Sequence, residues 1–255
     1  RAWYSKELND LVSGMDARTR REVLEIFRTV AKKGGSVESQ ERILLNKLRQ
    51  YYGDLFKRKA KELAQSMVSK QNRSVSAALR ATITGFAGEG AFVPVKTNTI
   101  TGQVLQDFKA AVSQNVNLIR SLHSQYFERI EGAVFRAIID RQGQGYLRDE
   151  LLKYGADSKR RARNIARDQS HKAYEALSRS RMEQAGIQYW QWEHGGGTKT
   201  VRHYHILDVS KGGLNHSVHK IGEKAFDPTK GIRRGILPGE LPFCTCRMRP
   251  VIKFD

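Results

Sequence analysis

The chain's two cysteines, Cys244 and Cys246, stand two residues apart, and five of its seven histidines fall between His194 and His219. Residues two apart on a strand point to the same face. Cys244-Thr245-Cys246 and His203-Tyr204-His205 both have that spacing. If the two stretches are neighbouring strands, two thiolates and two imidazoles converge. That set suits tetrahedral zinc, with ligand bonds of about 2.0 to 2.3 Å. His216, His219 and Asp208 are alternative fourth ligands. The plain alternative is a buried cysteine pair beside a hydrogen-bonded histidine, since free cysteine is among the most buried residue types. The cysteines are poorly placed for a disulfide with each other.

A catalytic use of the same residues needs more than they offer. A small histidine–metal nuclease uses histidine to activate water and the metal to clamp phosphate. It also needs a helix bearing a further His or Asn ligand, and only nine residues follow Cys246. His123 and His171 read as ordinary surface or helix-packing residues. There is no Gly-x-x-x-x-Gly-Lys-Ser/Thr loop and no serine nucleophile elbow. Asp149 and Glu150 are adjacent in sequence, so they do not face each other on a helix. No catalytic residue is assigned.

The elements that must position the histidines and cysteines begin at Ile187. Alternation predicts a strand to Glu193, with Trp190 and Trp192 on one face and Tyr189 and Gln191 on the other. Gly195-Gly196-Gly197 makes a tight return. Val201 to Leu207 reads as a second strand, and Thr245 to Val251 as a third. Cys244, Cys246 and Met248 share one face of that third strand. The stretch from Ser210 to Pro242 holds six glycines and few aliphatics, and reads as an irregular lobe over the sheet.

Upstream, Asp157 or Ser158 caps a predicted basic helix that runs to about Gln184, with Gly186 as its stop. Eight cations against three acids (Asp168, Glu175, Glu183) leave +5 on it. Lys159, Arg160, Arg161, Arg163 and Arg167 are candidates for contact with DNA phosphates; the alternative is a solvated charged face. Before it, residues 4–33 read as one or two helices, with Asp16 as a possible cap. Residues 41–70 read as another, with Gly53 as a possible break. Serines and glycines between 71 and 100 read as a loop with a short helix near Ala77 to Thr82. Its part from Phe86 to Thr99 is a candidate docking segment. Thr101 to Ile139 is helical, and Leu147 to Tyr154 reads as a short helix with Gly155 at its C-cap. The fold expected is α+β: a mostly helical region over 1–157, then over 158–255 a basic helix packed on a small antiparallel sheet with an irregular lobe.

Lys and Arg number 45 against 26 Asp and Glu, a net charge of +19. Such an imbalance points to a polyanionic neighbour, most simply nucleic acid bound without sequence preference. No run approaches the length of about 18 apolar residues that a membrane span needs.

Four features in order carry a resemblance: Ile165-Ala166-Arg167, Trp192, Arg202-x-x-His205-x-Leu207-Asp208 and Cys244-Thr245-Cys246. Over about residues 158–252 the chain resembles the C-terminal module of tailed-phage minor head proteins, the Mu F-like head morphogenesis family. Gly-Gly-Gly-Thr-Lys stands where that family has an acidic turn, and Val209 follows Asp208 where glycine is common. His205, Cys244 and Cys246 match family positions; His203 does not. The resemblance implies a structural virion protein in the capsid interior near the portal, present in the host cytoplasm during assembly. It implies contacts with the portal protein, with major capsid protein or scaffold, and with packaged double-stranded DNA. The rival expectation is a metal-dependent nuclease or transferase-type enzyme acting on nucleic acid.

Overall fold

Four long helices carry most of the chain, followed by a small antiparallel sheet. The structure, a computed structural model, describes residues 2–33, 37–87, 99–140, 142–196, 202–226 and 235–252. The helices are α1 (Ala2–Lys33), α2 (Val37–Ala87), α3 (Gly102–Ile139) and α4 (Gly143–Gln184). Then come β1 (Tyr189–Glu193), the short α5 (His203–Ile206), a 3-10 turn (Val209–Lys211), β2 (Val218–Lys220) and β3 (Arg247–Val251). The α+β class expected from sequence holds. Among the described residues, no helix is long and apolar enough to cross a membrane.

The chain divides into two compact units, Arg1–Gln65 with Ser113–Arg167, and Ser66–Val112 with Asp168–Asp255. The boundary expected at 157/158 falls inside α4.

In the first unit, each helix turns one apolar stripe inward. On α1 it is Tyr4, Leu8, Val12, Met15 and Val23; on α4 it is Leu147, Leu151, Ala162 and Ala166. These spacings follow the helical period, so the core forms by burial of stripes. Asp16 is buried in this core, mid-helix, and caps nothing. Its carboxylate accepts from the Tyr126 hydroxyl at 3.2 Å and pairs with Lys159 at 3.4 Å. Gly155 does not end a helix either, because α4 runs straight through it. A Cβ there would lie 2.3 Å from Asp16 Oδ1, so glycine is what admits the buried carboxylate against the helix backbone. Gly53 likewise breaks nothing; it lies against the His123 ring, 3.4 Å from where its Cβ would be.

The second unit corrects the loop expected over 71–100. Helix α2 continues to Ala87, with Asn72, Val75, Ser76, Leu79 and Ile83 on its buried side. The small polar residues obscured a period that tertiary burial enforces. Most of the candidate docking segment, residues 88–98, lies outside the described residues.

The sheet order is β2-β1-β3, both pairings antiparallel. Trp190 sits opposite His219 and Pro250, and Trp192 opposite Met248. Both tryptophans are fully buried, in a core with Leu79, Ile83, Met182, Leu214 and Ile236. The expected second strand at Val201 to Leu207 is not one: residues 203–206 form a helical turn. Its place is taken by β2, from within the stretch expected to be an irregular lobe. The rest of that stretch keeps little regular structure, with an isolated bridge between Ala225 and Ile236.

Candidate metal centre

Cys244 and Cys246 lie on the extended lead into β3 with alternation intact: both are buried, as is Met248, while Arg247 is exposed. His205 comes from α5. The three side chains are nearly closed to solvent, at 6%, 2% and 3% relative exposure for Cys244, Cys246 and His205. His205 Nδ1 is 3.6 Å from Cys244 Sγ and 3.5 Å from Cys246 Sγ. All three ligand atoms lie within 4.8 Å of one another. With zinc–sulfur bonds of about 2.3 Å and zinc–nitrogen bonds of about 2.05 Å, a tetrahedron has N···S edges of about 3.6 Å. The two His205–cysteine distances match the edges a bound zinc would need. The other ring nitrogen of His205 is buried with no hydrogen-bond partner. Such an orphan costs roughly 1 to 3 kcal/mol, a cost that a metal bond at Nδ1 would offset.

The backbone around the sulfurs is shaped to meet them. A Cβ on Gly195 would lie 2.0 Å from the Thr245 carbonyl oxygen. That close approach brings the Gly195 backbone to Cys246, while Gly239, at φ 76°, supplies a backbone hydrogen bond to Cys244. The Cys244 thiol is held far below its ordinary value, first by hydrogen bonding from Cys246, then by His205 and backbone donors that outweigh burial. Cys246 is pushed up, by Cys244 and by burial. The Trp192 indole N–H is buried without a hydrogen-bond partner, and beside Cys246 it opposes the upward push on that thiol.

Helix α4 holds this strand by its backbone. Asp168 Oδ1 accepts from Phe243 N at 2.7 Å, and Glu175 Oε2 accepts from Met248 N at 2.9 Å. Between them the His171 Nε2–H donates to the Cys246 carbonyl at 2.9 Å. Positions i, i+3 and i+7 share one helix face, so a single face of α4 grips the main chain on both sides of the cysteines. Lys172 in turn pairs with Asp168 at 2.9 Å. Burial pushes the Glu175 carboxyl up to about 8, against the Met248 N–H and Arg247, which pull it down. The expectation that a basic helix packs on the small sheet is met here.

His203, expected as a ligand, is exposed on α5. The physical reason is the helical turn: residues two apart are about 200° apart around a helix, not on one face. The alternatives are engaged elsewhere. His216 Nδ1 lies 2.6 Å from Asp208 Oδ2. His219 stacks on Trp190 at 4.6 Å and meets Ser217 Oγ at 2.7 Å. Two residues escape the sequence reading. His171 reads in sequence as an isolated histidine; its signal is its place in Asp168-x-x-His171-x-x-x-Glu175. His194 Nδ1 lies 3.6 Å from Cys246 Sγ. Its signal is the strand period, since Trp190, Trp192 and His194 fall on alternate positions.

Several of the positions that carry the family resemblance, Arg202, Trp192 and Asp208 beside the cluster itself, make holding contacts. Arg202 Nη2 donates to the Pro242 carbonyl at 3.2 Å. Trp192 meets the His205 ring edge-on at 4.9 Å. Asp208 accepts from Ser210 N at 2.9 Å and so starts the 3-10 turn.

Of the five cations proposed for DNA, Arg160, Arg163 and Arg167 are exposed, at i, i+3 and i+7 on one face of α4. Lys159 turns to Asp16, and Arg161 donates to Ser121 Oγ at 2.9 Å. Arg160 also pairs with Asp157 at 2.8 Å.

No family model matches the chain, and no solved structure matches it. A protein of Haemophilus influenzae described as uncharacterized is 24% identical over 194 residues. The match covers 74% of this chain and 42% of that relative, so the chain spans less than half of the relative's length.

Proposed function

We propose that this chain is a minor structural protein of a tailed-phage head, on the capsid interior near the portal and beside packaged DNA. Its second unit is a metal-clamped module with no chemical step of its own. One observation supports this most: six of the positions that carry the resemblance, Trp192, Arg202, His205, Asp208, Cys244 and Cys246, make contacts that hold the fold. Cys244, Cys246 and His205 are buried and clamp α5 to the lead into β3. Arg202 and Asp208 fasten backbone.

The two sulfurs and His205 Nδ1 would hold zinc, which softer thiolate and imidazole ligands favour over magnesium or calcium. A zinc ion there supplies a cross-link between α5 and the lead into β3. The exposed face of Arg160, Arg163 and Arg167 meets DNA phosphates, with no base-reading element required. The portal protein is the principal protein partner, with major capsid protein or scaffold as further contacts.

The test is the composition of purified heads. The chain is expected in DNA-filled particles at low copy, and Cys244→Ser/Cys246→Ser is expected to reduce its incorporation. Its absence from particles sinks the head-protein reading. Metal-dependent plasmid cleavage by the wild type, lost in the double variant, would establish the nuclease instead.

A further inference from the structure

We infer that His194 is the fourth ligand of the metal centre, closing it as a two-sulfur, two-nitrogen tetrahedral site of the zinc class. This rests on the metal reading above and decides its chemistry. With three protein ligands the fourth position belongs to water, and the site would be open to substrate; with His194 it is closed.

His194 directly follows β1, in the position that continues the inward face of Trp190 and Trp192. Its backbone is fixed, because His194 N donates to Asn215 Oδ1 at 2.8 Å. Its ring nitrogen Nδ1 lies 3.6 Å from Cys246 Sγ, the edge length of about 3.6 Å that a zinc tetrahedron requires. The tight three-way cluster within 4.8 Å is His205, Cys244 and Cys246. His194 thus already meets one edge of the tetrahedron, and rotation about its two side-chain torsions is the adjustment that binding asks of it. It is half-buried, against three closed partners. Neither His216 nor His219 competes, being held by Asp208 and by Ser217.

The experiment uses the whole chain, stripped of metal under reducing conditions and titrated with cobalt(II) as a spectroscopic stand-in for zinc. The variants are His194→Ala, His194→Cys and His203→Ala, each checked by circular dichroism. The wild type and His203→Ala are expected to bind one cobalt per chain with the intense visible bands of four-coordinate metal. His194→Ala is expected to bind at least about tenfold more weakly, with bands that change when imidazole is added. His194→Cys is expected to restore four-coordinate binding with a stronger sulfur-to-metal band. If His194→Ala keeps the wild-type affinity and spectrum, the assignment of His194 is wrong while the metal centre stands. If the wild type takes up neither cobalt nor zinc, the metal reading fails, and the assignment fails with it.

Discussion

At the scale of single residues, Asp168, His171 and Glu175 each have a specific backbone partner, and removing one has a calculable effect. His171→Ala leaves the Cys246 carbonyl without its donor. An unsatisfied buried acceptor costs about 1 to 3 kcal/mol, and loss of a group that orients a metal ligand lowers affinity about 10- to 100-fold. Thermal melts and zinc titration of that variant check both; an unchanged midpoint and affinity would refute the role.

Glu41, in the first unit, is the opposite case. It is 1% exposed, and neither carboxylate oxygen has a hydrogen-bond partner. Burial raises it from 4.5 to about 8. The folded state therefore holds this proton more tightly than the unfolded chain. The stability it contributes is present below about pH 4.5 and declines as pH rises towards 8. Within that window the slope is up to about 1.4 kcal/mol per pH unit. Glu41→Gln is expected to flatten the stability curve between those limits and to raise the melting temperature at pH 8. Denaturant titrations at several pH values measure this, and parallel curves for the two proteins would disprove it.

Among elements, α4 has the clearest consequence. Gly155→Ala improves helix propensity by about 1 kcal/mol, so on propensity alone the variant would be more stable. The added methyl meets Asp16 at 2.3 Å in the core, and forced overpacking costs typically about 1 to 3 kcal/mol. Net destabilisation in urea is expected, and a stabilised variant would contradict the packing argument. The same balance of local signal against tertiary packing decides what is legible in the sequence. β1 is readable because Trp190 and Trp192 alternate over enough residues to show the period. Cys244, Cys246 and Met248 are readable for the same reason. β2 is only Val218–Lys220, too short to display any period. α5 is shorter than the window in which helix and strand differ, so the spacing of His203 and His205 suggests a strand face that does not exist. Gly53 and Gly155 resemble helix ends because glycine usually is one; here the close approach of Asp16 requires glycine at 155, while Gly53 only lies in ordinary contact with His123.

For the whole molecule, the net charge of +19 overstates what is free to meet a polyanion. Lys159 and Arg161 are engaged inside the first unit, while Arg160, Arg163 and Arg167 remain on an exposed face of α4. Binding to duplex DNA is expected to weaken steeply with salt. Reversing those three arginines to glutamate should reduce the slope of log affinity against log salt by about 0.9 for each phosphate that is no longer neutralised. Fluorescence anisotropy on two unrelated duplexes tests it. A slope unchanged by the variant, or strong preference for one duplex, would remove this face as the DNA-binding surface.

The grip of α4 on the cysteine strand has a kinetic meaning as well. Asp168 reaches Phe243, and His171 reaches Cys246, each across 75 positions of chain. Closing so long a loop is entropically costly before any contact rewards it. The helix is therefore expected to form early, and the cysteine strand to dock late. Contacts absent from the folding transition state act on the rate of opening rather than the rate of closing. If the proposed centre is filled, stripping its metal from the folded protein should speed the release of this strand, read as faster amide exchange at Cys246 and Met248, and leave the refolding rate nearly unchanged.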